Sequence, residues 1–231
     1  MNDGCCIILA GGFGTRLRSL VPDKPKCLAP VGDTSFLQIQ LRLLREQGIR
    51  RFILSLGYLA ELVQQEVAAM GGDMEVCTVV EPAPLGTGGA IRFTMESAGI
   101  DEAIVTNGDT FLGGSLKDML CPLDLEAEES ARMAVLEVPD RQRFGGVQLR
   151  DAYVVGFSEK GEAGPGLINA GMYRVHQSVF DGVERGTPFS FETEVLPRLA
   201  RNGLLTGIRI DGEFTDIGVP EDYLNFCQRH E

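Results

Sequence analysis

Positive charge is scarce in this chain. Its 231 residues carry 21 lysines and arginines against 33 aspartates and glutamates, a formal charge of -12. Nucleic-acid backbones demand clustered cations, so a broad nucleic-acid surface is excluded. No apolar run exceeds strand length, so no segment is expected to span a membrane. Paired metal-type cysteine spacings are missing: Cys5, Cys6, Cys27, Cys77, Cys121 and Cys227 are scattered. With no signal peptide to imply an oxidising compartment, they are expected to be reduced thiols of a cytoplasmic protein. Internal repeats and low-complexity linkers are absent as well. At 44% apolar content the chain has ample material for a core, and one domain over residues 1–231 is expected.

What is present begins with glycine. Gly11-Gly12-Phe13-Gly14-Thr15-Arg16-Leu17 follows the apolar run Cys5–Ala10. An apolar run reads as a buried strand, and a glycine-dense turn at its carboxyl end lets backbone N–H groups approach an anion. The turn lacks the Gly-Lys-Ser/Thr of a Walker A loop and does not match the dinucleotide fingerprint. Two separated cations follow, Arg16 with a planar fork and Lys26 as a point charge. Together they could grip two phosphates of one polyphosphate and neutralise charge that moves during its cleavage. Taken alone, the cluster is equally a glycine turn with solvated basic residues.

The first half alternates strand-like runs with helical patterns: Cys5–Leu9, a helix over 36–47, Arg51–Leu56, a helix over 60–70, Glu75–Val80, a helix over 88–98, and 103–107. That rhythm predicts an α/β fold of three layers, a doubly wound, mostly parallel sheet of Rossmann-like type flanked by helices. Ligands in such sheets gather at the carboxyl ends of strands, where the glycine turn and Asn107-Gly108-Asp109 both fall. Beyond Ala131 the strands crowd together, at 133–138, 146–149, 153–158 and 167–175, before helices over 191–201 and 221–230. This half reads as a continuation of a mixed sheet that takes a second substrate. The acidic run Glu126–Glu129 reads as a solvated helix face or loop.

Asp109 and Asp216 are each expected at a strand end. Two carboxylates, completed by water and phosphate oxygens, are the usual way of holding Mg²⁺, although either aspartate alone also suits a turn. Glu81-Pro-Ala-Pro-Leu-Gly-Thr-Gly-Gly-Ala90 is a proline-stiffened segment feeding a helix amino terminus, the shape of a base-binding wall. A carboxylate at Glu81 could accept two parallel bonds from the N1–H and N2–H₂ edge of guanine; a solvated strand end is the other reading. Lys160 is a candidate for holding the phosphate of a second substrate and Glu159 for taking hydroxyls, though such a neighbouring pair is also an ordinary surface feature. Asn169 is a polar group in an apolar strand and needs a partner or a ligand.

Together, Leu9–Leu17, Asp23-Lys-Pro-Lys26, Pro84–Ala90, Asn107-Gly-Asp109, Phe157-Ser-Glu-Lys160, Asn169-Ala-Gly171 and Asp216-Ile-Gly218 resemble the sugar-1-phosphate nucleotidyltransferase family in order and spacing. The resemblance implies a GT-A-like fold, with a nucleotide half over about 1–112 and a sugar-phosphate half over about 113–231. It also implies Mg²⁺ as cofactor and a nucleoside triphosphate and a sugar 1-phosphate as partners, and it is compatible with a homo-oligomer. By match to the family motifs, Arg16, Lys26 and Asp109 would be catalytic. Ala10, Gly11, Gly12, Gly14, Thr15, Arg16, Glu81, Gly86, Thr87, Gly88 and Asp109 would bind the nucleotide. Gly145, Glu159, Lys160 and Asn169 would bind the sugar phosphate, and Asp109 and Asp216 the metal. The stretches 8–17, 55–58, 107–111 and 215–223 are most similar to family members that use GTP and D-glycero-α-D-manno-heptose 1-phosphate.

Two departures stand out. Cys27 replaces the proline usual after the motif lysine, and Gly146 replaces a branched residue. No hexapeptide-repeat domain of the kind found in some relatives is expected. Uridylyl or thymidylyl transfer to a hexose 1-phosphate, a metal-dependent glycosyltransferase of related fold, and a nucleotide-sugar sensor without turnover are the alternatives. Arg16 and Lys26, placed for a leaving pyrophosphate, count against the glycosyltransferase. The joint presence of Asp109, Asp216, Lys26 and Lys160 counts against the sensor.

Overall fold

Side chains of a strand alternate between faces, and in Cys5–Leu9 (β1) both sets are apolar. Cys5 and Ile7 enter one core while Cys6 and Ile8 enter another. A strand buried on both faces requires helices on both sides of the sheet, and the computed structural model, which describes residues 4–70 and 74–230, has them. The main sheet also contains β2 (Arg51–Leu56), β3 (Glu75–Val80), β4 (Glu102–Asn107), β5 (Ala131–Val138), β6 (Gly146–Arg150), β7 (Tyr153–Ser158), β8 (Gly166–His176) and β9 (Leu205–Arg209). Their order is β3-β2-β1-β4-β8-β5-β9-β7-β6. Strands β3, β2, β1 and β4 pair in parallel; β7 and β8 are the two that run against the rest.

The chain leaves β1 towards β2 and β3, then returns to β1's other side as β4. That reversal opens a crevice at the carboxyl end of β1, where an open α/β sheet binds its ligand. Helices α1 (Phe36–Glu46) and α2 (Ala60–Ala69) cover one face through Leu37, Leu41, Leu44 and Val63. The other face is covered by α3 (Gly86–Ala98) and α4 (Leu196–Arg201), through Ile91, Met95, Leu196 and Leu199. The last helix, α5 (Pro220–His230), closes a smaller cluster in which Phe226 packs against Phe36 and Phe111.

Several sequence expectations change. The helix over 191–201 opens as a π-helical turn, Phe191–Val195, in which the Leu196 N–H donates to the Phe191 carbonyl. Pro197 supplies no N–H for the Thr193 carbonyl, which explains why regular α register begins only beyond this turn. Strand β9 was not anticipated, and it lies between β5 and β7. Nor is the acidic run uniformly solvated. Glu126 and Glu128 are exposed, but Glu129 is buried, held by Arg132 at 2.6 and 2.8 Å, by the Asp124 N–H at 2.8 Å and by the Thr206 hydroxyl. All six cysteines are free thiols, and among the described residues no helix is long and apolar enough to cross a membrane.

Candidate active site

The glycine turn is tied to the strands on either side of β1. Ala10 N–H donates to Ser55 O at 2.8 Å, Tyr58 N–H to Gly11 O at 3.2 Å, and Gly108 N–H to Leu9 O at 2.9 Å. Gly14 adopts φ +58°, a left-handed conformation that brings the turn against the Lys26 side chain. Gly11 allows a close approach of a different kind: a Cβ there would stand 2.8 Å from Glu81 Oε1 and 3.1 Å from Gly57 N.

Asp109 sits on a turn between β4 and the short strand Thr110–Leu112, and that turn is clamped from below. Gln40 is fully buried in the apolar stripe of α1, where its amide N–H groups donate to Asn107 O at 2.9 Å and Thr110 O at 2.8 Å. Thr110–Leu112 pairs antiparallel with Phe214–Asp216 in a register that sets Asp216 opposite Thr110. Ile217 N–H donates to the Asp109 carbonyl at 2.9 Å. Two aspartates 107 positions apart in sequence are thereby brought side by side.

Cations meet them there. Lys26 forms an ion pair with Asp109, both side chains mostly shielded from solvent. A Cβ placed on Gly218 would lie 2.7 Å from Asp216 Oδ1, 2.8 Å from Lys26 Nζ and 3.1 Å from an Arg16 guanidinium nitrogen, so these three groups surround one point. Burial, and then the neighbouring Asp109 charge, push the Asp216 carboxyl above its ordinary range, with the Gly218 N–H, Lys26 and Arg16 pulling it back. Two carboxylates that repel each other beside a phosphate-type loop form a donor set that fits a hard divalent cation with oxygen ligands.

The adjoining cavity has a volume of about 600 Å³ and is lined by the glycine turn, Lys26, Asp109, Glu81, Thr87 and Glu192, among others. Of the residues expected on the nucleotide, Ala10, Gly11, Gly12, Gly14, Glu81, Gly86, Thr87 and Asp109 line this cavity. Arg16 stands beside it in the charge cluster, with the exposed Thr15 next to it in the chain. Glu81 is half-buried; its Oε2 accepts from Leu85 N–H at 2.9 Å, and burial raises its carboxyl despite that bond. Phe13 and Tyr58 pack ring to ring at 5.3 Å on the cavity wall, and Arg18 donates to the Tyr58 hydroxyl at 2.6 Å.

Gly88, also expected on the nucleotide, is not among the residues lining this cavity. A Cβ there would overlap the ring of Phe189, so the glycine permits the packing of α3 against residues 189–191. The sugar-side candidates lie outside the cavity walls. Glu159 and Lys160 are exposed at the end of β7, and Gly145 approaches the Ser158 carbonyl. Asn169 has found partners within the protein: its amide donates to the Tyr173 hydroxyl at 2.8 Å and its oxygen accepts from Gly171 N–H at 3.0 Å, bridging an irregularity in β8. Sequence reading missed Gln40 and Glu192. A polar residue in the apolar 36–40–44 stripe of α1 was the available signal for Gln40; Glu192 had none.

Comparison with known proteins accords with this fold. The nucleotidyl transferase family model matches residues 5–231. D-glycero-α-D-manno-heptose 1-phosphate guanylyltransferase of Aneurinibacillus thermoaerophilus is 34% identical over 94% of each chain. Its namesake from Campylobacter jejuni is 36% identical over 95% of this chain and 97% of its own. Crystal structures of HddC from Yersinia pseudotuberculosis, alone and complexed with GMP-PN, superpose with TM-scores of 0.86 and 0.85 at 32% identity, covering 99% of this chain and all of theirs. A family model that matches nearly the whole chain, relatives at 34–36% identity and a shared backbone agree: the chain belongs to the nucleotidyl transferase family, as a sugar-1-phosphate nucleotidyltransferase.

Proposed function

We propose that the chain transfers a guanylyl group from GTP to D-glycero-α-D-manno-heptose 1-phosphate, releasing pyrophosphate. The observation that carries this reading is the meeting of Arg16, Lys26 and Asp216 around Gly218, with Lys26 paired to Asp109 beside the glycine turn. A sugar-phosphate oxygen bonds to the α-phosphorus of GTP while the bond from that phosphorus to the β-phosphate's bridging oxygen breaks. The attacking oxygen is already ionised, so no general base is needed, and alignment and charge placement supply the rate. Lys26 neutralises charge at the α-phosphate and Arg16 holds the departing pyrophosphate. Asp109 and Asp216 would hold Mg²⁺, which supplies further charge neutralisation on the phosphates when bound.

Guanine is favoured by Glu81. Its Oε2 accepts from Leu85 N–H, which orients the carboxylate, and Oε1 stands beside Gly11 on the cavity wall; Oε1 and the second lone pair of Oε2 are then the acceptors for the N1–H and N2–H₂ edge. The relatives that match over nearly their whole length are named for heptose 1-phosphate and guanylyl transfer, which supports both substrates. A matrix of four nucleoside triphosphates against heptose, mannose and glucose 1-phosphates, read by pyrophosphate release with and without a chelator, tests the reading. GTP with heptose 1-phosphate should give the highest kcat/KM, and chelation should abolish it. Strict preference for UTP or dTTP would overturn the guanine assignment, and release with no sugar 1-phosphate at all would overturn the reaction.

A further inference from the structure

Glu192 lines the cavity that holds Lys26 and Asp109, yet neither phosphate nor metal chemistry calls for it. One of its oxygens is fixed. Thr87 donates its hydroxyl to Glu192 Oε2 at 2.6 Å and accepts from the Phe191 N–H at 2.9 Å, so the start of α3 and the π-helical turn orient the carboxylate together. The other oxygen, Oε1, takes no hydrogen bond from any described residue. A fixed carboxylate with one open acceptor on a ligand cavity is an unused hydrogen-bond site, and π-helical turns recur at such places.

We infer that Glu192 is a sugar-binding residue whose Oε1 accepts a hydrogen bond from a ring hydroxyl of the sugar 1-phosphate. This rests on the reaction proposed above. A triphosphate offers only acceptors and negative charge, so its phosphates belong with Lys26 and Arg16, and the base belongs with Glu81 after β3. Hydroxyl donors remain, those of the ribose and those of the transferred sugar. Glu192 lies near Tyr173, whose phenol is raised by burial and then by the Glu192 charge, and Tyr173 is bonded by Asn169. Phe191, next to Glu192 in the chain, also packs its ring against Tyr173 at 5.0 Å. Tyr173 and Asn169 belong to β8, in the half expected to take the sugar phosphate, so Glu192 joins the nucleotide segment at Thr87 to the sugar side, which favours the transferred sugar.

The test is steady-state kinetics of E192Q with GTP against heptose 1-phosphate, mannose 1-phosphate and a set of monodeoxymannose 1-phosphates. The KM for the sugar phosphates should rise about tenfold or more, the scale of a lost bond to a charged acceptor, while the KM for GTP stays within about twofold. One monodeoxy compound should lose a similar factor against wild type and nothing further against E192Q. Unchanged sugar KM refutes the proposal. So does a variant that loses discrimination between GTP and dGTP instead, which would place Glu192 on the ribose. Wild-type GTP affinity by calorimetry certifies the variant's fold; should E192Q not fold, E192D, with a withdrawn carboxylate, carries the same comparison. Wild-type protein that turns over no sugar 1-phosphate removes the reaction itself, and this proposal with it.

Discussion

Gly218→Ala inserts a single methyl group where Asp216, Lys26 and Arg16 meet, without altering any charge. The new Cβ would stand 2.7 Å from Asp216 Oδ1, 2.8 Å from Lys26 Nζ and 3.1 Å from the Arg16 guanidinium. Comfortable contacts begin near 3.5 Å, so Arg16 must retreat by roughly 0.4 Å and Lys26 and Asp216 by roughly 0.7–0.8 Å. Arg16 and Lys26 retreat cheaply because their ends are flexible. Asp216 does not, because its Oδ1 accepts from Gly218 N–H at 2.8 Å and its strand is paired to Thr110–Leu112. A misplacement of about 1 Å can cost a hundredfold in rate, so a retreat of this size should cost at least about tenfold in kcat/KM, or about 1.4 kcal/mol of transition-state stabilisation or more. Stability should change by less than about 1 kcal/mol, since mainly side-chain ends move. Pyrophosphate release measured beside a thermal melt separates the two effects. A variant that turns over at the wild-type rate would show that this meeting point plays no part in the reaction.

Asp109→Asn should lower pyrophosphate release by about two to three orders of magnitude while leaving the circular dichroism spectrum unchanged; an unchanged rate would refute a role for this carboxylate. Gly88→Ala should destabilise the protein by about 1–3 kcal/mol, because the methyl group overlaps the buried Phe189 ring, and an unshifted melting curve would contradict that packing. Burial pushes Glu129 up, but the bonds from Arg132, Thr206 and Asp124 N–H outweigh it and hold the carboxyl below its ordinary 4.5. The unfolded chain therefore binds this proton more tightly, so the stability Glu129 contributes is complete above that value and is lost as pH falls through the lower, folded one. Glu129→Gln should flatten the denaturation midpoint against pH in this acid range, and an unchanged slope would refute the linkage. Cys27 is buried and its thiol is pushed up to about 12, chiefly by burial, whereas Cys77 and Cys121 are exposed. A disulfide reagent should label those two in the native protein and spare Cys27; rapid labelling of Cys27 would mean the cavity floor opens.

Strands bounded by glycine, proline or charge were legible to the residue: Arg51–Leu56, Glu75–Val80 and Tyr153–Ser158 have the predicted limits. Glycine-rich and acidic motifs were legible for a chemical reason, since phosphate and its counter-ions accept few residue types. Their meeting was not. It depends on Thr110–Leu112 pairing with Phe214–Asp216, two triplets too short to show alternation, across a separation of about a hundred residues. β9 was hidden because Gly207 breaks its apolar pattern, and the structure supplies the reason: the Leu149 and Val154 side chains occupy the space a Cβ would need. Glu129 and Glu192 look alike in sequence, acidic residues among other acidic residues. What separates them is the partner each meets in the fold. Glu129 reaches Arg132 and Thr206 with both oxygens, whereas Glu192, on the cavity lining, meets only hydroxyls on one oxygen, and its other oxygen takes no bond from a described residue. A carboxylate's role is thus decided by how many of its acceptors the folded chain leaves unfilled, a quantity that local pattern does not carry.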